Sequence, residues 1–125
     1  MVRRWNRIFV WMQALYTLVT ALWALIDIDS FMEITGPKTD IWLVKTVAVL
    51  LIAIGLSLIF AAYTFDTSWP VICLGLLCAT GLTIIDFYYT SNGTIRWIYA
   101  IDGVIESLFI VNWIIIAFKT RLKEV

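Results

Sequence analysis

An all-α fold, a transmembrane antiparallel four-helix bundle, is predicted by three features of this 125-residue sequence. Hydrophobic residues make up 62% of the chain and charged ones 14%, too little polarity to clothe a soluble domain of this size. Four apolar runs, at residues 8–26, 41–63, 71–89 and 98–118, each come close to the ~20 residues a helix needs to cross ~30 Å of hydrocarbon. The charges fall mostly between those runs. Backbone N–H and C=O groups cannot stay unpaired in lipid, so the runs must be helical, and gaps this short turn each helix antiparallel to the last. The expectation is one domain, 1–125, with helices at about 8–26, 38–63, 70–90 and 97–118.

The first helix is flanked by Arg3, Arg4 and Arg7, and the last is followed by Lys119, Arg121 and Lys123. Basic flanks stay on the cytoplasmic side, so both termini are expected there. A basic stretch before an apolar run also describes a signal peptide, but this run is too long and too rich in Trp, and no small-x-small cleavage site follows. The expected location is therefore a bacterial inner membrane, crossed several times. Trp5, Trp42, Trp69 and Trp97 fall at predicted span ends, where an amphipathic indole prefers to lie.

The connection after the first helix, residues 27–40, carries Asp27, Asp29, Glu33 and Asp40 against Lys38, which suits the outer face. Ser30-Phe31-Met32-Glu33 fits a capping box opening a short interfacial helix or turn, with Phe31 and Met32 directed toward lipid and Gly36 as its stop. Pro37 suits a first helical position, which starts the second long helix near residue 38. Ser68 and Pro70 provide a cap and start for the third, and Ser91-Asn92-Gly93-Thr94 a tight outer turn. Gly75 and Ala79 form a small-residue face on that third helix, open to close approach by a neighbour.

Nine Lys and Arg balance nine Asp and Glu, so no net charge points to nucleic acid. Without histidine, a haem or transition-metal site has no usual ligand, and neither metal nor cofactor is expected. Cys73 and Cys78, five apart, match no redox pair or metal knuckle and read as two buried thiols.

The informative charges lie inside the spans. Lys45, Asp86 and Asp102 each sit about four residues from the outer end of a helix, ~6 Å deep, and Glu106 lies one turn further at ~12 Å. A charge facing lipid costs ~2.5 kcal/mol or much more, so these groups should point inward and meet. Tyr99, Asp102, Glu106, Phe109 and Trp113 share one helical stripe; so do Gln13, Thr17, Thr20 and Ala24, then Trp42, Lys45, Val49 and Ile52, then Thr83, Asp86 and Thr90. The expected site is Lys45, Asp86, Asp102, Glu106 and Tyr99, with Gln13, Trp42, Tyr89 and Arg96 around it. One lysine cannot balance three acids in a low-dielectric setting. Either a carboxyl holds a proton, Glu106 first, or a cation from outside completes the site.

The string TGPKTDIWLVKT at 35–46, followed by Asp86-Phe87-Tyr88-Tyr89 and by Tyr99-Ala100-Ile101-Asp102-Gly103-Val104-Ile105-Glu106, resembles a group of small, uncharacterised bacterial four-helix integral membrane proteins. That resemblance implies a fold and no activity. In overall plan the chain is also similar to DoxX-like and EXPERA proteins, and the EXPERA likeness implies acids in an intramembrane pocket for amine-bearing or sterol-like ligands. The histidines of sterol isomerases are missing here, so the likeness implies no isomerase reaction.

The leading expectation is thus a membrane protein whose charged pocket, in the outer half of the bundle, binds a lipophilic or cationic small molecule. The alternatives are a proton-coupled small transporter acting as a homodimer and an accessory subunit whose charges only fix helix packing. An enzyme with Glu106 as general acid and Asp102 as base has the least support, since nothing identifies a substrate and no catalytic residue is assigned.

Overall fold

The computed structural model describes residues 4–124 and contains five helices: α1 (Arg4–Ile26), α2 (Ile28–Thr35), α3 (Ile41–Thr64), α4 (Trp69–Ser91) and α5 (Ile98–Glu124). No strand occurs among the described residues. Four of the helices are long and apolar enough to cross a membrane. Large apolar side chains such as Phe60 (70% exposed) and Leu77 (66%) face outward while Gln13 (1%) and Glu106 (2%) are buried, the reverse of a water-soluble protein. Arg3 lies outside the described residues.

The long helices pack chiefly as two antiparallel pairs, α1 with α3 and α4 with α5, while α1 touches α5 and α3 touches α4 only slightly. The first pair is drawn close by small residues. Ala14, Ala21 and Ala24 of α1 and Ala48, Gly55 and Ala62 of α3 are all buried, and a Cβ on Gly55 would come within 3.2 Å of the Leu18 backbone. Arg7 ties the start of α1 to the end of α3, donating from Nε to the Ala62 carbonyl at 2.8 Å and from Nη2 to that of Tyr63 at 2.6 Å. It thereby reinforces the terminus, whose Ala62 carbonyl also accepts the Phe65 N–H at 3.3 Å. Likewise the Trp69 indole, opening α4, donates to the Glu124 carboxylate that closes α5.

At this end a core cluster joins the pairs: Val10 and Ala14, Leu58 and Ala62, Ile72, Trp113 and Ile116. Its centre is a polar lock across three helices. The Trp113 indole donates to Gln13 Oε1 at 2.5 Å, and Gln13 Nε2 donates to the Gly75 carbonyl at 3.1 Å. Gly75 is needed because the Trp113 ring lies over it; a Cβ there would sit 2.2 Å from the indole. The small face on α4 thus receives an aromatic ring rather than a helix backbone. Nearby, Asn6 Nδ2 donates to Asn112 Oδ1 at 2.8 Å.

At the other end, α2 folds over the tops of α1 and α5. Asp27, not Ser30, caps it, its side chain accepting from the Ser30 N–H at 3.3 Å, because helix α2 begins at Ile28, ahead of the expected box. The Ser30 hydroxyl is occupied by Trp23 Nε1 at 2.7 Å. Phe31 turns inward instead of toward lipid, edge-on to Trp23 with centroids 5.2 Å apart. Gly36, at φ +107, ends the helix and lets its N–H reach the Met32 carbonyl at 2.8 Å. Residues 37–40 then remain non-helical, so α3 starts at Ile41, three residues later than expected from Pro37.

Candidate functional site

The core cluster fills the space between the helix pairs only at the terminal end. Toward α2 the inward residues of α1 and α3 become small (Thr17, Thr20, Ala21, Ala24, Ala48), the pairs are not packed together, and a cavity of about 350 Å³ remains. Its walls are largely apolar: Val44, Ala48 and Leu51 on α3, Leu82 and Ile85 on α4, and Phe31 as part of the roof. Its polar floor is Tyr16, Asp86, Asp102 and Glu106.

Each floor residue is placed by helical spacing. Asp102, Glu106, Phe109, Trp113 and Ile116 follow a 4-3-4-3 pattern on α5, and packing of Trp113 into Gly75 turns that stripe, acids included, toward α1 and α4. On α4, Ile72, Gly75, Ala79 and Asp86 are the buried face. Gly103 allows the Phe87 ring to lie against α5 at the acid level, where a Cβ would meet it at 3.0 Å. The Tyr16 hydroxyl donates to Asp102 Oδ1. Tyr16 lies about ten residues, ~15 Å, before the end of α1, and Asp102 four residues, ~6 Å, after the start of α5.

The three carboxyls line one cavity, Asp102 and Glu106 one turn apart on α5 and Asp86 beside them on α4. Asp86 is 4% exposed and Glu106 2%; the Asp86 carboxyl lies against that of Asp102, and among the described residues no donor reaches Asp86 Oδ2, Glu106 Oε2 or Thr17 Oγ1. Buried polar atoms are nearly always paired, so three such atoms at one cavity set this end of the molecule apart from the filled end. The His, Cys, Asp and Glu side chains do not form a metal-holding group among the described residues.

Of the residues expected at the site, Asp86, Asp102, Glu106 and Tyr99 line the cavity and Lys45 does not. On α3 the lining face is Val44, Val47, Ala48 and Leu51; Lys45 is turned about 100° from Val44 and is half-buried beside it, off that face. Of the stripe Trp42, Lys45, Val49 and Ile52, Trp42 (67%) and Val49 (54%) are exposed while Ile52 packs against the Ala21–Ala48 cluster, so the stripe runs along one edge of the inner face. The basic residue of the cavity is Lys38, whose ammonium stands 5.1 Å over the Tyr99 ring and 3.4 Å from the Thr35 carbonyl. Tyr89 packs edge-on to Tyr88 outside the cavity. Gln13 is spent in the polar lock below, and Arg96 braces α2 by donating to the Glu33 carbonyl at 3.1 Å. Cys73 is exposed and Cys78 half-buried, not both buried, since residues five apart cannot share the inner face of one helix.

Sequence reasoning missed Tyr16 and Lys38. Tyr16 carried a signal: Gln13, Tyr16, Thr17 and Thr20 are spaced i, i+3, i+4, i+7, so the phenol belongs to the polar face of α1. Lys38 carried none, because its reach into the cavity depends on the path of the 36–40 linker. Compared with protein-family models, with curated proteins and with solved structures, the chain matches none of them.

Proposed function

We propose that this is a multi-pass membrane protein that binds a lipophilic cation, its charged head on Asp86, Asp102 and Glu106 and its apolar body between α3 and α4. The single observation carrying this reading is the pair of buried, unpartnered carboxylate oxygens, Asp86 Oδ2 and Glu106 Oε2, at the end of an apolar-walled cavity. In low dielectric an incoming ammonium is worth far more to such oxygens than it is in water. Access from the bilayer is supported by the weak α3–α4 contact and by Leu43, Val47 and Ile85, which line the cavity yet are 44%, 51% and 51% exposed.

In this reading the long helices form an antiparallel four-helix bundle in a bacterial inner membrane, with both termini cytoplasmic. Arg4, Arg7, Lys119, Arg121 and Lys123 gather at the terminal end, and Asp27, Asp29, Glu33 and Asp40 at the α2 end, which supports that orientation. A purely structural role for the charges would need a basic group to lock the acids; Lys45 lies off the lining face, and the Lys38 ammonium is engaged by the Tyr99 ring and the Thr35 carbonyl.

Dodecyltrimethylammonium should raise the unfolding temperature of the purified protein in maltoside micelles, and Glu106→Gln should abolish that rise while leaving the fold intact. Equal stabilisation of the wild type and of a Asp86→Asn, Glu106→Gln double variant would overturn the reading.

A further inference from the structure

Lys38 belongs to two cavities. Beyond the acid-floored one lies a polar vestibule of about 470 Å³ between the 36–40 linker and the connection from α4 to α5, bordered by Thr39, Asp40, Thr94 and Arg96. Lys38, Leu43 and Val44 line both spaces, so Lys38 stands at their junction. The ammonium stands over the Tyr99 ring and donates to the Thr35 carbonyl, and no ion pair joins it to a carboxylate among the described residues. Tyr99 sits three residues before Asp102 and seven before Glu106 on the same face of α5. Along α5 the residue under the ammonium is therefore roughly one to two helical turns, ~5–10 Å of rise, from the acids.

This bipolar layout constrains what fits. A simple cation meets the floor but leaves the Lys38 ammonium without an anion in contact, and a simple anion would face three carboxyls. Resting on the cation-binding reading above, we infer that the ligand is a zwitterionic amphiphile: its ammonium lies on Asp86, Asp102 and Glu106, its anionic group beside Lys38, and its chain in the gap between α3 and α4. The orphan oxygens of Asp86 and Glu106, each on a side chain more than nine-tenths buried, receive the cation. The half-buried lysine at the junction, within reach of the vestibule, receives the anion.

The test compares three probes on the full chain in maltoside micelles: dodecyltrimethylammonium, dodecylphosphocholine, and glycerophosphocholine, which has the head group without the chain. Wild-type protein is expected to bind dodecylphosphocholine about tenfold more tightly than dodecyltrimethylammonium. Lys38→Met should erase that advantage without weakening the simple cation, and Lys38→Arg should keep it. If dodecyltrimethylammonium still binds through the acids but Lys38→Met leaves phosphocholine affinity unchanged, the zwitterion inference falls and the cation reading survives. If neither amphiphile responds to Glu106→Gln, the cation reading falls with it. Glycerophosphocholine binding as tightly as dodecylphosphocholine would overturn assignment to a membrane amphiphile.

Discussion

Replacing Gly75 by alanine should destabilise the protein by about 3 kcal/mol, a large effect for one methyl group. The new Cβ would stand 2.2 Å from Trp113 Cε2 and 2.3 Å from its Nε1, far inside contact distance, and the indole is an inflexible group buried to 1% exposure. It must shift by an ångström or more, and overpacking of this kind costs roughly 1–3 kcal/mol. The shift also strains the bonds from Trp113 to Gln13 and from Gln13 to the Gly75 carbonyl, each worth roughly 0.6–2 kcal/mol between membrane helices. Against this, alanine improves helix propensity by about 1 kcal/mol. Reversible unfolding at increasing SDS mole fraction measures the sum. Trp113→Leu should suppress the Gly75→Ala penalty in a double-mutant cycle, because the clash needs both partners. A Gly75→Ala protein within about 0.5 kcal/mol of wild type, or a cycle showing no coupling, would refute the three-helix lock as the element that orients α5 and its acids.

Two further changes probe the cavity and its charges. Val47→Phe places four more carbons against the apolar wall and should remove dodecyltrimethylammonium stabilisation with little loss of intrinsic stability, read from unfolding curves with and without the probe, since Val47 lines the cavity, is 51% exposed and is not wedged between α1 and α3. Lys45→Met should leave both stability, within about 0.5 kcal/mol, and probe binding unchanged in the same assay, because the lysine lies off the lining face; a loss of either would restore it as the counter-charge.

How much of this was legible depends on the helix. On α5 the acids and aromatics alternate at three and four residues against an apolar background, so the periodicity itself names the inner face. The same holds for Gln13, Thr17 and Ala24 on α1. Helix α3 offers no such contrast: it is apolar all round, and its inner face is selected by smallness at Ala48, Gly55 and Ala62 rather than by polarity. Lys45, the one charge in that segment, therefore drew the stripe to one edge of the inner face. A lysine near a helix end can send its ammonium toward the interface along its own stem, so depth alone does not force it inward. The cavity was illegible for a different reason. It arises from what is missing between two helix pairs, where alanines and threonines replace the Leu58 and Trp113 of the filled end, and that needs all four helices in place. Lys38 and the start of α3 depend on the non-helical path after Gly36, which local capping rules did not predict.

The central claim is that the acids close a cavity which a cationic amphiphile fills from the bilayer between α3 and α4. Photolabelling in lipid vesicles with an alkyltrimethylammonium carrying a diazirine on its chain tests this most directly. The account predicts adducts at Val47, Leu82 and Ile85 that disappear when unlabelled dodecyltrimethylammonium is added and in Glu106→Gln protein. Adducts spread over outward residues such as Phe60 and Leu77, indifferent to competitor and to Glu106, would contradict it.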